Sequence, residues 1–282
     1  MKDYAFYIVI LAALVSSTSG LFVKHMQIPA TSMAWIRTAT PSIVIGLYFL
    51  ITQHKIIRDK YKIMLCGSVI NAVRMVFFFT TLIYTSISNA IIVFYTWPLF
   101  AVVLSIVVLK EKVSRQELLV LLLSFIGVLV VYMEHEISLA DKDFIGLSCG
   151  VITAFIYACT IIIFKKGSDI YTPWETIFYQ NIIGAIFFLP FIFINTPVPT
   201  SLDWTLGIGH GIIIGLVMFS MFFFGLRHLP ASRASMITYV EVIGGMLLGY
   251  FVLHEEISLS MIIGASIILG GSLLLRTLKV SQ

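Results

Sequence analysis

Charge is scarce in this chain. Of 282 residues only 11% are charged, against 59% hydrophobic, with a mean hydropathy of +1.03. A soluble domain carries about a quarter charged residues, so a chain this apolar could not cover its own surface in water. A soluble enzyme, a nucleic-acid binder and a disordered chain are excluded on that ground, and the net charge of +4 is no DNA-binding patch. Cysteine is equally sparse. Cys66, Cys149 and Cys159 sit inside apolar runs, which excludes a disulfide scaffold and shows no metal-ligand spacing. They read as buried packing thiols. No Gly-x-x-x-x-Gly-Lys phosphate loop is present, so no ATPase and no cofactor is implied.

Long apolar runs fill the chain instead. A helix needs about 20 apolar residues to cross the hydrocarbon layer. Ten such windows appear, at 4–23, 32–52, 61–82, 87–109, 115–133, 143–165, 173–194, 204–226, 231–253 and 258–276. The separators hold the charges, prolines and caps; Ser114-Arg115-Gln116-Glu117 has the form of a capping box. The runs lack the alternation of barrel strands. The predicted class is all-α integral membrane with ten spans. The first run, ending in Ser16-Ser17-Thr18-Ser19-Gly20, has some of the form of a cleaved signal peptide. Lys2-Asp3 gives it no net side-chain charge, and the repeat below requires the helix.

Lysine and arginine set the orientation. With the N-terminus in the cytoplasm, 14 of the 18 fall inside, Lys24 and Lys142 fall outside, and Arg37 and Arg74 lie within spans. Both ends of the chain then lie on the basic side, in an inner membrane, and the segment 134–143 is an acidic outer loop.

The chain also repeats itself. A shift of 144 aligns 70–132 with 214–276 and matches Phe78/Phe222, Ser88/Ser232, Ala90/Ala234, Tyr95/Tyr239, Glu111/Glu255, Ser114/Ser258 and Gly127/Gly271. The expected units are 1–136 and 137–282, five spans each. An odd number of spans inverts the second unit, the architecture of secondary transporters with a site near the midplane.

At the fourth and ninth spans these residues resemble a known family. Ser88-Asn89-Ala90, Pro98 and Leu109-Lys110-Glu111-Lys112 in one, and Ser232-Arg233-Ala234, Glu241 and Leu253-His254-Glu255-Glu256 in the other, are similar to the ten-helix EamA type of the drug/metabolite transporter superfamily. Arg37 and the glycines of the fifth and tenth spans fit as well. Two positions depart: Val242 stands where the family usually has proline, and Ser16-Ser17 where it has Trp-Gly. The resemblance implies transport of amino acids, nucleotide-like metabolites, sugars or drugs. S-adenosylmethionine is one candidate, since some members carry it.

Ionisable groups at membrane depth cost about 2.5–3.5 kcal/mol on insertion scales and face a cavity or a partner. Glu241 falls near mid-span. It is expected to meet a cationic substrate group or to carry a proton; the alternative is an ion pair with Arg74 or Arg37. Arg74, in the middle of the third span, suits a clamp on a substrate carboxylate or phosphate and, equally, pairing with Glu241 or with backbone carbonyls. Arg37 is close enough to the outer surface to snorkel, which favours an anchoring role. Gln180 occupies roughly the corresponding place in the seventh span, which suggests a polar interior position in both halves. Tyr95, Trp97 and Tyr239 are mid-span aromatics expected to enclose an organic body, with Pro98 bending the helix beside them. His210 is expected at the interface, Glu175 at a helix dipole, and Gly245-x-x-x-Gly249 in internal helix packing. The expected substrate site is therefore Arg37, Arg74, Tyr95, Trp97, Gln180, Tyr239 and Glu241, with Glu241 also coupling. The expected partners are a small polar molecule and the bilayer, with no nucleic acid and no metal.

Overall fold

The computed structural model describes residues 2–85, 87–133, 141–254 and 256–278. Glu255 and the acidic stretch 134–140 lie outside them. Among the described residues the secondary structure is helical throughout, and helix fills every one of the ten windows. The first holds α1 (Lys2–Ser16) and α2 (Ser19–His25), followed by α3 (Ala30–Ile51) and α4 (Tyr61–Tyr84). The fourth splits into α5 (Ile87–Phe94) and α6 (Trp97–Leu109), ahead of α7 (Arg115–Val131) and α8 (Asp141–Gly167). Then come α9 (Pro173–Phe188) with the short α10 (Phe191–Ile194). The eighth window runs α11 (Ser201–His210), a π-helical segment (Gly211–Met218) and α12 (Phe219–His228). The ninth splits into α13 (Ala231–Ile237) and α14 (Val240–Leu253), and α15 (Leu259–Thr277) closes the chain.

Eight of these runs are long and apolar enough to cross a membrane. The two shorter ones are α7, with 17 residues, and α9, with 16. At 1.5 Å per residue each approaches the ~30 Å hydrocarbon thickness. The outward faces are apolar. Leu50, Ile51, Phe193 and Phe251 are mostly exposed, a surface that only a lipid solvent covers at no cost.

The helix ends are specified locally. Ser114/Glu117, Thr172/Glu175 and Thr200/Asp203 form reciprocal capping boxes at the starts of α7, α9 and α11. α6 and α14 stop in the same way. Lys110 and His254 take the left-handed conformation at φ 58° and 56°, and their N–H groups donate to the Ser105 and Gly249 carbonyls. These positions differ by the repeat shift of 144.

The two halves meet about an approximate two-fold axis. Tyr95 and Tyr239, equivalent in the repeat, face each other with ring centroids 6.2 Å apart. Farther along, α7 crosses α15 at glycine. A Cβ on Gly127 would meet Ile268 at 2.8 Å and the Gly264 carbonyl at 2.9 Å; one on Gly271 would meet Ser124 at 2.8 Å and Val120 at 3.6 Å. Subtracting 144 turns the first set of contacts into the second, so one contact is used twice. A Cβ on Gly264 itself would stand 2.5 Å from the Gly127 carbonyl, which is backbone and cannot swing aside. Gly264→Ala is therefore expected to lower stability by about 1–3 kcal/mol through overpacking. Gly270→Ala, which points into open space, should leave the melting temperature unchanged in the same micelles.

A second glycine stripe was not anticipated. Gly207, Gly211 and Gly215 press α11 and the π-helical segment onto Ile36, Thr40 and Pro41 of α3, with built Cβ contacts of 2.7, 2.5 and 3.1 Å. The expected Gly245-x-x-x-Gly249 packing needs correction. Gly249 is buried, but Gly245 is exposed and faces open space; Gly244 is the residue that packs, against Ser17 of α1. The cysteines also differ from expectation. All are free, but Cys66 is exposed on the apolar outer face and the other two are half-buried.

Polar ties concentrate at the end of the bundle where lysine and arginine cluster, here called the basic end. Glu111 accepts from the Ala231 and Ser232 N–H groups at 2.7 and 3.0 Å and from the Ser232 hydroxyl at 2.7 Å, so the first half caps α13 of the second. Arg233 Nε donates to Glu117 Oε1 at 2.6 Å, both side chains being buried. Lys165 Nζ donates to the Leu226 and Leu229 carbonyls at the end of α12, at 2.5 and 2.7 Å. Glu175 does more than complement a dipole: it caps α9 and pairs with Arg58 and with His54. In the exposed loop, the hydrogen bond from Lys60 at 2.8 Å holds the Asp169 carboxyl below the usual carboxylate range. That small stabilisation is present above the ordinary aspartate pKa and fades as pH falls through the lowered one.

Candidate functional site

Three spans are interrupted near their middles. α1 gives way to α2 at Ser17-Thr18, where the two hydroxyls donate to the Leu14 and Val15 carbonyls. α5 gives way to α6 at Tyr95-Thr96, and α13 to α14 at Thr238-Tyr239. The last two breaks match. Thr96 donates to the Val93 carbonyl at 2.7 Å and Thr238 to the Ser235 carbonyl at 2.6 Å, three residues back in each case. Hydroxyls of this kind absorb carbonyls that a continuous helix would use, which is how a broken helix is tolerated inside a membrane. Only the first break carries a proline nearby, Pro98 at the start of α6.

The interrupted helices surround the charged interior. Glu241 stands in the first turn of α14, where the helix dipole favours a carboxylate. Its Oε1 accepts from Ser16 Oγ at 2.8 Å. Ser16 is one of the two serines that replace the expected Trp-Gly, so this departure supplies the glutamate's donor. At the equivalent place in the other half, Trp97 stands for Glu241 and packs edge-on against Tyr157 of α8, centroids 4.8 Å apart. Each half supplies one member of either pair: Ser16 and Trp97 come from the first, Glu241 and Tyr157 from the second.

An arginine also reaches Tyr157. Arg74 lies over the Tyr157 ring, 5.0 Å from its centroid. Its Nε donates to Asn71 Oδ1 at 3.0 Å, and Asn71 in turn donates to the Gln180 carbonyl at 2.9 Å. Arg37 is within electrostatic reach of Arg74, Tyr157 and His210. The anchoring role expected for Arg37 is therefore corrected: its charge faces the interior charges rather than snorkelling outward. His210 is likewise buried, shares a 2.8 Å hydrogen bond with Ser19 Oγ and leans on Phe22. Among the described residues neither arginine pairs with Glu241 or any other carboxylate within 4 Å. The Glu241–arginine ion pair weighed from the sequence is not formed in this conformation.

Arg37, Tyr157, Glu241 and Ser16 all keep accessible surface although they lie deep between helices. The remaining candidates are packed away. Tyr239 is 0% exposed, and its hydroxyl donates to the Tyr95 carbonyl at 3.1 Å. Tyr95 and Trp97 are buried too, and Gln180 is 2% exposed with Oε1 lacking a hydrogen-bond partner. The structure thus brings Arg37, Arg74 and Glu241 around a common ring, Tyr157, that sequence reasoning passed over. Nothing in its local context distinguishes it from the chain's other tyrosines.

The two ends of the bundle differ. Every residue of α13 is buried, whereas Ile91, Ile92, Val93 and Phe94 of the equivalent α5 keep partial exposure. α13 at the basic end is thus more deeply buried than its counterpart at the other.

Comparison with known proteins agrees with this arrangement. The EamA-like transporter family matches residues 4–133 and again 144–277, nearly the whole chain. The chain belongs to that family. The transporter is 25% identical over 269 residues to an uncharacterised transporter of Archaeoglobus fulgidus, covering 94% of both chains. It is 21% identical to the pseudopaline exporter of Pseudomonas aeruginosa, covering 83% of this chain and 82% of that one. A crystal structure sharing 17% identity superposes with a TM-score of 0.84 over 97% of this chain and 96% of that chain, which establishes a shared fold.

Proposed function

We propose that this transporter is a secondary active carrier of a small polar metabolite bearing both an anionic and a cationic group, amino acid or amino-acid-derived, working by alternating access. The observation that carries the reading is the unpaired set of interior charges. Arg74 lies on the Tyr157 ring with Arg37 within electrostatic reach, Glu241 is bonded to Ser16, and among the described residues no protein ion pair neutralises them. A charge kept away from water without a partner is costly, so a carrier that holds one supplies its partner from the cargo. The anionic end meets the guanidinium groups, which bind carboxylates bidentately. The cationic end, or a proton, meets Glu241. Tyr95, Trp97, Gln180 and Tyr239 stand behind these groups and enclose the organic body when the chamber rearranges.

With the basic end placed in the cytoplasm of an inner membrane, the buried α13 is the cytoplasmic gate, and this conformation faces outward. Glu111, Glu117, Arg233 and Lys165 close that gate. Both termini are then cytoplasmic. The driving force is a gradient or exchange. The relative named an exporter favours outward movement of the cargo.

Purified protein screened for thermal stabilisation against a metabolite library, then tested in proteoliposomes with the hits, checks the reading. Wild type should accumulate a hit saturably. Glu241→Gln should lose driven accumulation about tenfold or more while retaining exchange of labelled for unlabelled cargo, because it keeps a hydrogen-bonding group and loses the ionisable one. Conductance at channel rates, or accumulation unchanged in Glu241→Gln, would overturn it.

A further inference from the structure

The interior charges do not balance, and the imbalance narrows the cargo. Two guanidinium groups and one carboxylate share the space around Tyr157. The two arginines lie within electrostatic reach of each other, so each raises the cost of the other until an anion arrives. His210, hydrogen-bonded to Ser19, adds no anion, since an imidazole is neutral or cationic. From the elements packed around the ring, the described ionisable groups in reach are Arg37 on α3, Arg74 on α4 and Glu241 on α14. The sum is one positive charge in excess.

We infer that the cargo carries two anionic groups and one cationic group, with a net charge of −1. This rests on the carrier reading above and deepens it. One anionic group engages Arg74 where the guanidinium stacks on Tyr157. The second engages Arg37, and the ammonium faces Glu241 and Ser16. S-adenosylmethionine, with two positive charges and one negative, has the opposite balance and would add a cation to a chamber already in excess. An inorganic anion would satisfy the arginines and leave Glu241 without a counterpart.

The test uses the full chain in micelles, in chloride-free buffer. The probes form one series of N-alkyl amino acids whose chain ends in a carboxylate, an amide or an ammonium, so that size is held and net charge runs −1, 0, +1. Inorganic phosphate and chloride are included as separate arms. The carboxylate-ended probe should stabilise the protein at a concentration about tenfold or more below that of its amide. Arg37→Gln and Arg74→Gln should each bring that ratio toward one, while Arg37→Lys, which restores the charge, should retain most of it. An equal or inverted ratio in wild type would overturn the inference, as would a ratio untouched in both glutamine variants. So would the absence of stabilisation by every amino-acid probe, or tighter binding of phosphate or chloride than of the carboxylate-ended probe. Failure of the carrier reading appears elsewhere, as a probe that binds with the expected charge preference but is never accumulated or exchanged by proteoliposomes.

Discussion

Arg74→Ala should reduce uptake by about two to three orders of magnitude and leave the empty protein at least as resistant to heat. Truncating one member of a desolvated charge pair costs about 2–5 kcal/mol of binding, or roughly 30-fold to several thousand-fold. In the empty transporter that pair does not exist. Arg74 has Asn71 and the Tyr157 face as partners, and a buried guanidinium with no counter-charge pays a desolvation penalty. Its removal relieves that penalty and forfeits a cation–π contact of about 1–2 kcal/mol, so the two effects oppose. Melting curves and cargo uptake are therefore expected to separate, with activity lost and stability kept. A purely structural arginine would lose both together. Arg74→Lys should fall between, since an ammonium restores the charge without the planar fork.

Glu117→Ala is expected to act in the opposite sense. Glu117 is 3% exposed, accepts from Arg233 at 2.6 Å and caps its own helix through the Ser114 N–H at 2.7 Å. Breaking a buried pair by removing one partner costs about 3–5 kcal/mol, because the surviving charge loses the counter-charge that Glu117 supplied. The loss of the cap adds about 1 kcal/mol. Replacing both partners with apolar residues of similar volume, as in Glu117→Leu with Arg233→Met, should recover at least half of the loss. Denaturant titration in micelles reads both. A double variant no better than the single one would show that the pair itself, rather than the cost of an arginine kept without Glu117, carries the stability.

Much of this molecule could be read from its letters. Apolar run length placed helix in all ten windows, because in a bilayer the only demands on a span are length and internal hydrogen bonding. The 144-residue shift located the two-fold contacts, since Tyr95/Tyr239 and Gly127/Gly271 do similar work on either side of the axis. Arg74 and Glu241 stood out as charges in apolar runs. Other features were illegible. The interruption at Thr238-Tyr239 contains neither proline nor glycine, so no propensity announced it, and the threonine that closes it is commonplace in apolar helices. Depth along a helix was mistaken for depth in the protein at Arg37 and His210: position along the span is one-dimensional, and the direction a side chain faces depends on neighbours that are distant in sequence. The Gly207, Gly211 and Gly215 stripe was written in the spacing and missed, masked by the general abundance of small residues. Tyr157 matters through what surrounds it, which no window of sequence contains.

The unequal burial of α5 and α13 has a last consequence. Equivalent segments here occupy two different poses, one sunk into the bundle and one at its margin. If the halves traded poses, the same contacts would re-form with the opposite mouth shut, so a single set of coordinates holds a sketch of the companion state. Differences between the halves then become the terms that tilt the balance. Glu241 with Ser16, where the twin position has Trp97 with Tyr157, is one of them, and on the carrier reading proposed above its occupant would set which way the protein rests.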